Sequence, residues 1–135
     1  MSNLDRKTFL LSGVAIAAGT VASAMPSAPA QKRFPVIHHA LFWLKNPDSL
    51  EDRAKLVAGV KTLAKIKTVK DLRVGVVAST EKRDVVDNSW GVSEIMFFEN
   101  LEGQAAYQTD PIHLEFIKNC EHLWDKVIVY DAIEA

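Results

Sequence analysis

The chain has 135 residues, 48% of them hydrophobic and 24% charged, with a formal net charge of −1. That size and balance fit one globular domain with an appendage, and the near-zero charge removes the electrostatic basis for nucleic-acid binding. A single cysteine, Cys120, excludes an intramolecular disulfide and a cysteine-built zinc site; there is no glycine-rich phosphate loop and no internal repeat, and neither a metal nor a cofactor is expected.

Residues 1–30 read as an export leader. Arg6 and Lys7 precede a weakly apolar run from Phe9 to Ala24, and two small-x-small sites follow at Ala22–Ala24 and Ala28–Ala30. These are the charged region, apolar region and cleavage site of a bacterial export signal. Asp5 to Leu11 resembles a twin-arginine signal in which Lys7 replaces the second arginine. The apolar run falls short of the roughly 20 residues that a membrane span needs. The expected location is periplasmic or otherwise extracytoplasmic, with no stable membrane association after cleavage; an uncleaved anchor is the alternative. Pro26, Pro29 and Pro35 predict an extended, disordered junction to about residue 34.

The folded domain is expected over residues 35–135. Phe34 to Lys45 predicts a strand with two apolar rows, Val36, His38, Ala40, Phe42 and Leu44 on one face and Ile37, His39, Leu41 and Trp43 on the other. A strand apolar on both faces is covered on both. Ser49 with Asp52 forms a capping-box-like start, and Leu56, Val57, Val60, Leu63 and Ala64 mark one face of a helix over residues 50–66. Leu72, Val74, Val76 and Ala78 alternate as a second strand, followed by a polar loop from Ser79 to Asn88. Trp90 to Glu99 predicts a third strand, with Ile95 and Phe97 on one face and Val92, Met96 and Phe98 on the other. Glu94 within it reads as a rim carboxylate in water, or more sharply as a polar group lining a cavity.

Asn100 caps a short helix through Tyr107, and Asp110 with Pro111 starts the next, which runs to about Trp124. Its inward row is His113, Phe116, Ile117, Cys120 and Leu123 or Trp124; Cys120 reads as a small buried hydrophobe. Val127 to Tyr130 predicts a last strand ending at Asp131. Tyr107 to His113 brings a phenol, a rigid helix start and an imidazole into seven residues. His113 lies in the first turn, where unpaired backbone N–H groups and the positive dipole end favour neutral imidazole. It can then act as a general base; alternatively Asp110 caps, Tyr107 packs and His113 bonds a carbonyl. The order strand, helix, two strands, helices, strand predicts a ferredoxin-like α+β fold, a four-stranded antiparallel sheet with helices on one face. The bare face predicts a homodimer through the sheet, since apolar patches of that size are rarely left in water.

From Val36 to about Ile133 the chain resembles the stress-responsive A/B barrel (Dabb) family of dimeric α/β barrels. The resemblance rests on Ile37-His38-His39, Phe98-Glu99, Ala106-Tyr107 with Asp110-Pro111-Ile112-His113, and Val129-Tyr130-Asp131. The family includes stress-stable oligomers and a branch like olivetolic acid cyclase, which closes a linear polyketide by aldol condensation. That branch implies a cavity between sheet and helices, with His113 as base, Asp131 orienting its other nitrogen and Tyr107 polarising the substrate carbonyl. His38 matches a first-strand histidine of that branch, and Asp110 stands where it has histidine. The expectation is a small apolar cavity near His113, with His38, Phe42, Tyr107 and Phe116 touching a small hydrophobic ligand. The alternatives are a cofactor-independent lyase or cyclase using His113, Tyr107 and Asp131, and a structural stress-protective oligomer.

Overall fold

The computed structural model describes residues 33–135, and the leader expected over residues 1–30 lies outside the described residues. Four strands and three α-helices follow one another as β1 (Val36–Leu44), α1 (Leu50–Lys61), β2 (Asp71–Val76), β3 (Val92–Phe98), α2 (Leu101–Thr109), α3 (Pro111–Cys120) and β4 (Trp124–Ile133). All pairings are antiparallel and the strand order is β2-β3-β1-β4, so β1 is central and β4 is an edge. This is the expected ferredoxin-like α+β arrangement.

Strict alternation along β1 sets the two faces. Val36, His38, Ala40, Phe42 and Leu44 are buried, and the intervening residues are half-buried. β3 buries Val92, Glu94, Met96 and Phe98 beneath the helices, and Ser93 on its other face is buried as well. The core joins these rows to Leu56 and Val60 of α1, Tyr107 of α2, and Phe116 and Cys120 of α3. Helices α1 and α3 approach closely at Gly59, where a Cβ atom would lie 2.4 Å from Cys120 Sγ. Cys120 is buried, and burial pushes its thiol pKa up, away from the reactive thiolate.

The caps act as their sequences predict. Ser49 Oγ accepts from Asp52 N at 3.1 Å, Asn100 Oδ1 from Gly103 N at 2.8 Å, and Asp110 Oδ1 from Ile112 N at 2.8 Å, with Pro111 opening α3. Several boundaries differ from the pattern: α3, expected to run to about Trp124, ends at Cys120, and Trp124 opens β4 instead. After Lys61 the chain tightens into a 3₁₀ turn over Thr62–Lys65. The change from 3.6 to 3.0 residues per turn rotates Ala64 into solvent and leaves Ile66 in the core. β2 stops at Val76 and Ala78 is exposed. β4 is longer than its apolar run, because Trp124 to Ile133 pairs along the whole of β1.

The face of the sheet away from the helices carries Ile37, His39, Leu41 and Trp43 of β1 beside Ile95 and Phe97 of β3, all half-buried. His39 Nε2 lies 3.0 Å from Ser93 Oγ on that face. At the start of the domain Arg33 pairs with Glu134, whose backbone N–H donates to Pro35 O at 2.9 Å. No helix of the described residues is long and apolar enough to cross a membrane.

Candidate functional site

The site begins with the smallest side chain of an inward row. Ala40, at the middle of β1, is opposed by Glu94 on β3 and by Val129 on β4. Its neighbours two residues away, His38 and Phe42, carry rings, so the missing bulk at Ala40 leaves a depression in the sheet. Helices α2 and α3 close over it without filling it, and a cavity of about 170 Å³ remains.

A hoop of rings surrounds that cavity. Consecutive ring centroids lie 5.4 Å apart from His38 to Tyr107, 4.3 Å from Tyr107 to His113, and 6.4 Å from His113 to Phe116. They continue at 5.6 Å from Phe116 to Trp124 and 5.1 Å from Trp124 to Phe42. The structure thus brings together His38, Phe42, Tyr107, His113 and Phe116, all expected at the site. Exposed Gln108 and Val129 stand at its mouth.

Asp131 is placed differently from the expectation. It was expected to orient His113, but it lies directly opposite His38 in the β1–β4 register, and His38 Nδ1 donates to its Oδ1 at 2.6 Å. Antiparallel partners directly opposite share one face with Cβ atoms about 5 Å apart; α3 lies a layer above. His113 Nδ1 instead donates to the Gln108 carbonyl at 3.0 Å. A carbonyl can only accept, so this bond fixes the proton on Nδ1 and leaves the Nε2 lone pair free on the neutral ring.

Glu94 corrects the rim reading. It is only 1% exposed, at the bottom of the cavity, and the sharper reading of a cavity-lining polar group is the one that holds. Its Oε1 accepts from Tyr107 Oη at 3.4 Å and stands 3.7 Å from His38 Nε2. Asp131, His38, Glu94 and Tyr107 therefore form one polar chain, from an exposed carboxylate to a buried phenol. Burial raises the Glu94 pKa to about 7, with the Tyr107 hydrogen bond opposing the rise. Burial first, and the neighbouring Glu94 carboxylate second, push the Tyr107 phenol well up, so it keeps its proton. A signal for Glu94 was present in the sequence, as a lone carboxylate in phase with Val92, Met96 and Phe98.

The polar chain is linear, with the two ring nitrogens of His38 facing opposite ways. Among the described residues no three His, Cys, Asp or Glu side chains gather to hold a metal ion. The arrangement can bind an apolar molecule, offer it a hydrogen bond at the sheet end, and accept a proton at His113 Nε2.

The profile of the Stress Responsive A/B Barrel Domain family matches residues 36–134. A crystal structure of an Arabidopsis thaliana protein is 27% identical, with a TM-score of 0.64 over 75% of this chain and 96% of that one. A hydroxynitrile lyase from Passiflora edulis is similar in fold at 19% identity and a TM-score of 0.63, over 77% of this chain and 96% of the lyase. A dimeric ferredoxin-like protein from Bacteroides fragilis aligns at 21% identity and a TM-score of 0.58, over 73% and 94% of the two chains. No curated protein matches the sequence.

Proposed function

The chain belongs to the stress-responsive A/B barrel domain family, and from that premise we propose that it is a homodimeric binding protein for a small hydrophobic molecule held beside His113. The observation that carries this reading is the cavity over Ala40, about 170 Å³ in volume and walled by Phe42, Phe116, Trp124 and Val127. An apolar cavity of about 150 Å³ suffices for a benzene-sized molecule, so the ligand is about one ring in size. A folded linear polyketide is too large. The half-buried apolar sheet face supports the dimer, as does the dimeric state of the Bacteroides fragilis relative.

Thermal shift of the full chain against single-ring aromatic compounds tests the cavity. A ligand at about 100 times its Kd adds about 2.7 kcal/mol, a rise in Tm on the order of 10 °C for a domain of this size. Ala40→Val, which fills the depression and removes no polar group, should abolish that rise. A compound that stabilises the wild type and Ala40→Val equally binds elsewhere and refutes the reading.

A second reading, proton-transfer catalysis as in a lyase or cyclase, is favoured by the His113 tautomer. With Nδ1–H committed to Gln108 O, Nε2 is available as a base at the cavity wall. Deuterium exchange at acidic C–H positions of a bound compound tests it; exchange that survives His113→Ala rules His113 out as the base.

Export belongs to the same proposal. The Arg6-Lys7 start, the apolar run and the Ala22–Ala24 and Ala28–Ala30 sites support delivery to an extracytoplasmic compartment. Cell fractionation of the full chain beside a variant lacking residues 1–30 tests it, and equal partitioning of the two would refute it.

A further inference from the structure

The polar chain at the bottom of the cavity carries information about the ligand that the apolar walls do not. Resting on the binding reading above, we infer that Glu94 and His38 hold one proton between them and present it to the cavity, so that the ligand is an uncharged single-ring molecule bearing a hydrogen-bond acceptor such as a ketone, and carboxylate anions are excluded.

The argument is a count of donors and charges. His38 Nδ1–H is committed to Asp131, so Nε2 is the side of the ring that faces Glu94 Oε1 at 3.7 Å. The Tyr107 O–H is committed to the same carboxyl. Both Glu94 and His38 are more than nine-tenths buried. Without a proton there, the His38 Nε2 lone pair would face a buried carboxylate whose one donor is the Tyr107 O–H, and burial makes that charge costly. A single proton resolves it, held as Glu94–OH beside neutral His38 or as a carboxylate beside imidazolium. In either distribution the pair is neutral overall, and because 3.7 Å is too long for a direct hydrogen bond between the two, the proton stays available and the cavity wall gains one donor.

The surrounding charges decide which ligands that donor can serve. Asp131 on β4 adds a negative charge at the end of the chain, and no lysine or arginine lines the cavity. α2 supplies Tyr107, whose proton is retained, and α3 supplies His113, in ring contact with Tyr107 at 4.3 Å. β2 presents apolar Val74 opposite Glu94. A carboxylate ligand would lose its water, meet the Asp131 charge through His38 and find no fixed cation. A neutral acceptor meets a donor and sheds little hydration. Loss of the shared proton leaves only acceptors at the sheet end, so binding of such a molecule weakens as pH rises. The Glu94 pKa of about 7 sets where that loss begins.

The test is calorimetric titration of the full chain with acetophenone, ethylbenzene and benzoate between pH 6 and pH 9. Acetophenone should bind at least tenfold more tightly than ethylbenzene at pH 6, lose most of that advantage by pH 9, and exceed benzoate at every pH. Glu94→Gln, which keeps a donor but cannot titrate, should hold the acetophenone preference and flatten its pH profile. Equal binding of acetophenone and ethylbenzene at all pH values overturns the inference while leaving the cavity reading intact. Benzoate binding as tightly as acetophenone overturns it likewise. Absence of binding by all three, together with unchanged Tm in each, overturns the cavity reading and this inference together. The wild-type profile alone separates these outcomes, so the inference stands or falls even if the variant does not fold.

Discussion

His38 donates its Nδ1–H to Asp131 Oδ1 at 2.6 Å, across two residues that face each other directly on β1 and β4. The pair joins a buried ring to a half-exposed carboxylate: the His38 side chain is 5% exposed and that of Asp131 is 56% exposed. Asp131 is therefore a positioning residue for His38, and through it for Glu94. Asp131→Ala should destabilise the domain by about 1 kcal/mol, near the low end for a charged hydrogen bond because water reaches the carboxylate. Denaturant unfolding measures this, and an unchanged midpoint would show that the pair adds nothing to stability.

Stability should fall as pH rises from about 4.5 to about 7. In the unfolded chain Glu94 ionises near 4.5, whereas the folded domain holds its proton up to about 7. The unfolded state then binds fewer protons between those values, so the contribution is full below pH 4.5 and is lost as pH rises through 7. At about 1.4 kcal/mol per unit the loss is roughly 3 kcal/mol. Glu94→Gln should remove this slope. Parallel pH profiles of wild type and variant, from chemical unfolding, would contradict the assignment.

His39 acts in the opposite sense. Burial, followed by the nearby His38 charge, lowers its pKa from 6.5. The unfolded chain therefore takes up a proton at this site before the folded domain does, and stability drops as pH falls below about 6.5. The same unfolding series measured on His39→Gln should lack that acid-side decline; a decline of undiminished slope would assign it to another group.

Gly59 is held small by Cys120. Gly59→Ala would place Cβ 2.4 Å from Cys120 Sγ, and the resulting separation of α1 from α3 should cost about 1–3 kcal/mol. That outweighs the gain of roughly 0.5–1 kcal/mol from replacing a helical glycine. Adding Cys120→Ala should recover most of the loss. If the two changes are strictly additive in thermal unfolding, the clash is not the cause.

The sheet-face dimer should break at Leu41. Leu41→Lys puts a charge at the centre of the outward row between Ser93 and Ile128, where a partner sheet would have to desolvate it. Trp43→Glu acts on the same row but also removes the Trp43 Nε1 bond to Ser89 Oγ and the Lys126 contact. Leu41→Lys is therefore the cleaner probe. Sedimentation should show a wild-type dimer and a folded monomeric variant; a dimeric Leu41→Lys would place the interface elsewhere.

Much of the domain is determined by local chemistry. Ser49, Asn100 and Asp110 each cap a helix because a short polar side chain at that position satisfies a free N–H. The two rows of β1 sort by face because a strand repeats every two residues. That period places His38 and Phe42 inward, while the first-turn position of His113 follows from Asp110 and Pro111. The same period puts Glu94 in phase with Val92 and Met96, yet it says nothing of what lies opposite. The partner of Asp131, the burial of Glu94 and the void over Ala40 were decided by the strand order β2-β3-β1-β4. Residues 38 and 131 meet across 93 positions of sequence, and Ala40 faces Glu94 and Val129 only in the observed registers. Periodicity assigns a side chain to a face; long-range pairing chooses its neighbours, and the chemistry of this cavity resides in those neighbours.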